Sequence, residues 1–154
     1  MGKLEVRIVQ LEPLRVATAL GFGEQPETIA WEKILKWARE QGIDLQKARY
    51  FGFNNPNPSP GSPNYGYEQW IVAAPGMEGS DEVEIKEFPG GLYAVARCEG
   101  IQNIGDVWKA LVAWRDESPY KKAQHQWLEE CLTPPIGEMA LEDYVFDLYA
   151  PIAE

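Results

Sequence analysis

Apolar and polar residues alternate in Leu4-Val6-Ile8, and the same alternation returns in Val83-Ile85. A period of two with charges between predicts half-buried strands. Each is followed by a further extended run, VATALGF in one place and YAVARCE in the other. The period then changes. Trp31, Ile34, Leu35 and Ala38 fall at i, i+3, i+4 and i+7, which predicts an amphipathic helix. Pro26 stands near its start and Gly42 at the C′ position. A second helix is expected from an N-cap at Asp106 to the break at Ser118-Pro119. Two strands follow each helix, ARYFGF and YGYEQWIVA after the first, HQWLEECL and YVFDLYAPI after the second.

The order of elements is thus written twice. Trp31 and Trp37 recur 77 residues later as Trp108 and Trp114. The same shift superposes Glu5-Val6 on Glu82-Val83, Ala17 and Ala19 on Ala94 and Ala96, and Gly23 on Gly100. Ten of the 50 ungapped positions from Leu4 to Phe53 are identical, against roughly three expected from average residue usage. The last strands align at an offset of 79, with Tyr67 on Phe146, Glu68 on Asp147 and Trp70 on Tyr149. The expectation is one α+β domain over residues 1–154, made of a duplicated βαββ unit (repeats 3–74 and 81–153). A pseudo-twofold axis would join the copies into an antiparallel sheet with two main helices around a central groove, a natural place for a ligand. The proline-rich Asn54–Asn64 segment and its counterpart Thr133–Glu138 read as turn-rich loops, the first a candidate lid.

Composition narrows the chemistry. The formal charge is −10 and no basic cluster is visible, so a nucleic-acid partner is not expected, whereas organic cations are attracted. Cys98 and Cys131 are isolated and His125 is the lone histidine, so no metal site, cofactor or disulfide framework is expected. No apolar run approaches the roughly 20 residues that span a bilayer, and MGKLEVRIV lacks a signal-peptide pattern. A cytoplasmic protein is the expectation.

The segment QWLEECL puts two acids beside an indole. Alternation places Trp127, Glu129 and Cys131 on one strand face, with Leu128, Glu130 and Leu132 on the other. In the first copy the matching positions are Tyr50 and Gly52, and a strand-interior glycine often marks close approach by backbone or ligand. Glu129 is therefore the leading functional carboxylate, with Glu130 its competitor should the register slip. Tyr67, Trp70, Tyr93, Tyr149 and Tyr65 are strand aromatics that can line a groove. Rings around a carboxylate suit a flat or cationic molecule. Glu68 and Asp147, at equivalent positions, read as structural acids.

The duplicated βαββ plan, LEEC within HQWLEECL, the closing FDLYAPI and the central EFPGGLYAVARCEG resemble the GyrI-like small-molecule-binding superfamily. That group includes the effector-binding domains of AraC-type and BmrR-type transcription regulators. The resemblance spans Lys3 to Ile152 and is that of a stand-alone member. It implies binding of lipophilic, often cationic aromatic ligands, with Glu129 as the pocket acid and Trp127, Tyr67 and Tyr149 as walls. Cys131 stands where the family commonly has tyrosine, which removes a hydroxyl. Two alternatives follow from the resemblance: hydrolysis of cyclopropane-bearing electrophiles with Glu129 activating water, and protein binding of the gyrase-inhibitor type.

Overall fold

The computed structural model describes residues 4–55, 60–136 and 139–154. The strands are β1 (Val6–Leu11), β2 (Leu14–Gly23), β3 (Tyr50–Asn54), β4 (Tyr65–Val72), β5 (Glu84–Phe88), β6 (Gly91–Glu99), β7 (Lys121–Lys122), β8 (Leu128–Cys131) and β9 (Val145–Ala153). The helices are α1 (Pro26–Glu40) and α2 (Ile104–Glu117). Of the proline-rich loop, residues 56–59 lie outside the described residues, as do residues 137 and 138 of its counterpart.

The chain divides into two compact units. One is continuous, Leu14–Phe88, and the other combines Met1–Pro13 with Pro89–Glu154. The continuous unit is an antiparallel sheet in the order β3-β4-β2-β5 with α1 on one face. The discontinuous unit is an antiparallel sheet in the order β8-β9-β6-β1 with α2 on one face. The plan is the same in both, so the α+β character, the antiparallel pairing and the two main helices expected from the sequence are present. The repeats and the compact units are cut differently, however. The first strand of the first repeat, β1, pairs with β6, and the first strand of the second, β5, pairs with β2.

Local chemistry accounts for the helix ends. Pro26 opens α1, where its missing N–H costs nothing. At the other end Gly42 takes φ +75°, and its N–H reaches Arg39 O at 3.1 Å while Ile43 N–H reaches Ala38 O at 3.0 Å. This pair of bonds is the Schellman cap that the glycine predicts. In α2 the helix begins two residues before Asp106; a 3-10 turn at Ile101–Asn103 leads in, and Asp106 lies in the first turn. The carboxylate favours that end through the helix dipole and is not the cap. The expected HQWLEECL strand is shorter too, with only Leu128–Cys131 in the ladder.

Small residues allow each helix to lie close on its sheet. Ala17, Ala19 and Gly21 share the α1 side of β2, and a Cβ on Gly21 would stand 2.1 Å from Pro26 O. In the other unit Ala94, Ala96 and Cys98 form the same row of β6, all fully buried. Burying helix and sheet faces together supplies the main stabilisation, at about 25 cal/mol per Å² of apolar surface.

Candidate functional site

Residues paired across a ladder point to the same side of a sheet, so the registers assign each candidate a face. In the discontinuous unit β8 pairs with β9 as Leu128↔Tyr149, Glu129↔Leu148 and Glu130↔Asp147. Between β6 and β9 the pairs include Tyr93↔Pro151, Val95↔Tyr149 and Arg97↔Asp147. One face therefore carries Tyr93, Val95, Arg97, Asp147, Tyr149, Pro151, Leu128 and Glu130. The opposite face carries Ala94, Ala96, Leu148, Ala150, Glu129 and Cys131, and this is the side on which α2 lies. Trp108 of α2 donates its indole Nε1–H to Glu129 Oε2 at 3.0 Å.

The two neighbouring acids thus have different surroundings. Glu129 is half-buried against the helix, beside the Trp108 indole. Trp127, just before β8, tilts against Trp108 with ring centroids 5.6 Å apart, and the Arg115 guanidinium stands 4.7 Å from its ring centroid. Arg115 is itself buried and donates from Nη1 to Pro151 O at 3.2 Å. Glu129 and Trp127 consequently belong to a helix-to-sheet cluster of indoles and a guanidinium.

Glu130 is on the face away from α2 and is 6% exposed. The Tyr149 hydroxyl donates to its Oε1 at 2.6 Å, a charge-assisted length. Tyr149 meets Tyr93 edge-on at 5.3 Å, and Tyr93 meets the His125 ring edge-on at 4.8 Å. The Tyr93 hydroxyl donates to Gln126 O, and His125 Nε2 is 2.8 Å from Leu92 O. Burial raises the Tyr93 phenol above its ordinary pKa, so it stays protonated and a donor. The result is a buried carboxylate at the end of a row of edge-packed rings.

This corrects the expectation that Glu129 and Trp127 look into one aromatic-lined face with Tyr149 and Tyr93. Parity within β8 holds, since Glu129 and Cys131 are together and Glu130 is opposite. The side on which the tyrosines lie is set by the β8–β9 and β6–β9 registers, and they fall with Glu130.

In the continuous unit Tyr67 and Trp70 also lie on opposite faces. Tyr67 is on the α1 side, the hydroxyl end of its ring packed against Gly52; a Cβ there would stand 2.2 Å from the phenol oxygen and 2.6 Å from Cε2 and Cζ. The close approach that Gly52 suggested in the sequence is made by a tyrosine of the next strand. Trp70 is on the other face, edge-on to Phe53 at 5.2 Å and near Phe88 at 5.2 Å. Its Nε1–H donates to Glu68 Oε2 at 2.6 Å. Glu68 also accepts from Thr18, Lys86 and Asn55. Its equivalent, Asp147, accepts from Arg97 Nε at 2.6 Å and Arg7 Nη2 at 2.8 Å. Both acids hold strands together, as their symmetric positions suggested.

Arg7, Arg97 and Trp108, which contact Asp147 and Glu129, are not among the residues the sequence singles out. Parity along YAVARCE puts Arg97 on the Tyr93 side, a signal available beforehand. Among the described residues no group of three or more histidine, cysteine, aspartate or glutamate side chains is placed to hold a metal ion. No helix among them is long and apolar enough to cross a membrane.

Comparison with known proteins places this geometry. EcmrR, seen in a complex with DNA by cryo-electron microscopy, matches with a TM-score of 0.74 at 8% identity; 98% of this chain covers 58% of that one. A hydrolase from Listeria innocua matches with a TM-score of 0.72 at 10% identity, over 97% of this chain and 92% of that one. SAV2435, bound to tetraphenylphosphonium, matches with a TM-score of 0.53 at 12% identity, over 96% and 93%. At these identities the likeness is one of fold. No curated protein sequence matches the chain. The family model Cass2, integron-associated effector binding protein, matches residues 7–152. That span is nearly the whole chain, and the chain therefore belongs to this family of effector-binding proteins.

Proposed function

We propose that the chain binds a lipophilic aromatic molecule carrying a positive charge or a strong hydrogen-bond donor, on the sheet face that presents Glu130, Tyr149 and Tyr93. The observation that carries this reading is the burial of the Glu130 carboxylate among rings, on the side of its sheet turned away from the helix. An ionised carboxylate has about four acceptor positions, so the Tyr149 hydroxyl and a ligand donor can share it. Each ring face met by the cation adds about 0.5–2 kcal/mol. A fold neighbour bound to tetraphenylphosphonium, a cation wrapped in phenyl groups, supports the ligand class.

The test is a fluorescence titration of a cationic rhodamine and of tetraphenylphosphonium against wild type, Glu130→Gln and Glu129→Gln. Loss of a buried charge partner costs at least about 1.4 kcal/mol, a tenfold change in Kd. The expectation is therefore weakening of tenfold or more in Glu130→Gln and less than threefold in Glu129→Gln. Equal affinities in wild type and Glu130→Gln remove that carboxylate from the site.

A second reading is hydrolysis, which draws support from a Listeria innocua neighbour described as a hydrolase and from the Tyr149–Glu130 contact; the strained electrophile is the substrate class that the resemblance implies. Glu130 would take a proton from water, held in place by the Tyr149 hydroxyl that donates to it. Incubation with a cyclopropane-bearing electrophile, followed by mass spectrometry, decides it. No turnover by wild type, or turnover undiminished in Glu130→Gln, sinks this reading.

A further inference from the structure

The outward side of α2 is apolar where that of α1 is charged. The 77-residue shift sets Lys33 and Lys36 of α1 on Ala110 and Ala113 of α2, and both alanines are exposed. Six residues of α1 are buried and only two of α2. Leu35 is buried, whereas its equivalent Val112 is half-buried. Trp37 is buried with its indole N–H on Glu78 O at 3.0 Å, while its equivalent Trp114 is half-buried and stacks on Tyr120. The second helix thus leaves to solvent apolar surface that the first covers or replaces with lysine.

Trp108, Lys109, Val112, Ala113 and Asp116 line a shallow groove of about 400 Å³ along this side. One wall is held in place, since Trp108 donates to Glu129 at 3.0 Å and packs against Trp127. The two charges stand at the ends of the groove, about two helical turns or 10 Å apart. Lys109 has no hydrogen bond or ion pair among the described residues. Asp116 meets Arg115 Nε at 3.8 Å and Lys122 Nζ at 3.5 Å, both through Oδ1 and both longer than a hydrogen bond. An apolar strip with a cation at one end and an anion at the other is complementary to itself when reversed.

We infer that this groove is where a second copy of the chain docks, α2 against α2 and antiparallel about a twofold axis. With the axis between Val112 and Ala113, Lys109 of each copy faces Asp116 of the other, so the same ion pair is made twice. Val112 of each copy meets Ala113 of the other, whose small side chain permits the 8–10 Å separation of packed helices. The Trp108 indoles flank the contact, and tryptophan is among the residue types that most often anchor an interface. A parallel pairing would set lysine on lysine and aspartate on aspartate. The formal charge of −10 repels the copies at long range, but physiological salt screens that repulsion beyond about 8 Å. A pair of helices 14 residues long covers less than the roughly 1,200 Å² of a stable interface. The dissociation constant is therefore on the order of 10–100 µM.

Sedimentation velocity of the full chain over roughly 5–500 µM tests this. Wild type is expected to show a reversible monomer–dimer equilibrium. Lys109→Glu and Asp116→Lys each set two like-charge pairs across the axis and should weaken the dimer about tenfold or more. An equimolar mixture of these two variants should restore it, because their heterodimer makes both opposite-charge pairs. Ala113→Glu, which puts a charge at the centre of the contact, should leave monomer. Lys109 and Ala113 are exposed, so their variants keep the fold, which circular dichroism checks. If Asp116→Lys unfolds beside Arg115 and Lys122, the other two variants decide. A wild type that stays monomeric throughout overturns the inference and leaves the groove to another occupant. A dimer undiminished in Lys109→Glu and Ala113→Glu overturns it too, since the contact then lies elsewhere. Folded variants whose mixture fails to restore the dimer overturn the antiparallel pairing. The inference is independent of the receptor reading, which the dye titration tests separately.

Discussion

Replacing Glu68 by glutamine tests how a buried acid contributes to the sheet of the continuous unit. Glu68 is 4% exposed. Its Oε2 accepts from Thr18 Oγ1 at 2.8 Å, Trp70 Nε1 at 2.6 Å and Lys86 Nζ at 2.9 Å, and its Oε1 from Asn55 Nδ2 at 3.1 Å. Glutamine keeps the shape and one acceptor oxygen, so what is lost is mainly the charge in each bond. A hydrogen bond to a charged group contributes about 1.5–3 kcal/mol and a neutral one about 0.5–1.5. The two buried donors, Thr18 and Trp70, then lose roughly 1 kcal/mol each. Lys86, 43% exposed, is partly resolvated and adds less. The expected cost is about 2–3 kcal/mol, a fall of about 1–2 M in the urea midpoint. Burial by itself would raise the Glu68 pKa, but the bonds from Trp70, Lys86, Thr18 and Asn55 outweigh it and hold the pKa below its ordinary 4.5. A depressed folded-state pKa means that the unfolded chain takes up the proton first as pH falls. The contribution is complete above about 4.5, and declines as pH drops through the lower folded value. Urea unfolding followed by tryptophan fluorescence should show the gap between wild type and Glu68→Gln at pH 7, narrowing at the lowest pH with a folded baseline. A gap below about 0.5 kcal/mol at pH 7, or one that does not narrow, refutes the reasoning.

Gly52→Ala should destabilise by about 1–3 kcal/mol through overpacking against the Tyr67 ring; in a Tyr67→Ala background the same methyl should cost little, and equal costs in both would show that the ring is not the obstacle. Burial pushes the Cys131 thiol up to about 11 and raises that of Cys98, so neither should react with a disulfide reagent at pH 8 within minutes, whereas both should react in urea. Rapid modification of one thiol in the folded protein would contradict the burial.

The sequence disclosed the parts that depend on neighbouring residues. Gly42 forms the cap its position implies, the 77-residue shift matches two units of one plan, and the register puts Gly52 and Glu129 at equivalent ladder positions opposite Gln69 and Leu148. What it did not disclose depends on partners distant in the chain. Alternation in β8 separates Glu129 from Glu130, but only the pairing Leu128↔Tyr149 shows which acid joins the tyrosines. Likewise β1 and β5 alternate identically whether they pair within their own repeat or with the other. Arg7 and Arg97 were overlooked for the same reason: they come together at Asp147 through strands about 90 residues apart.

The exchange of β1 and β5 has a consequence for synthesis. The continuous unit occupies an insertion between β1 and the remainder of the other unit, so on the ribosome β1 emerges first and finds its partner β6 only after some 80 further residues have followed. Such non-local pairing is slow to form, while Leu14–Phe88 can close its sheet as soon as it is released. Division of the gene at the repeat junction near Gly79 would therefore strand a β-strand on each side. A gene piece encoding 14–88 would carry every strand of the continuous unit.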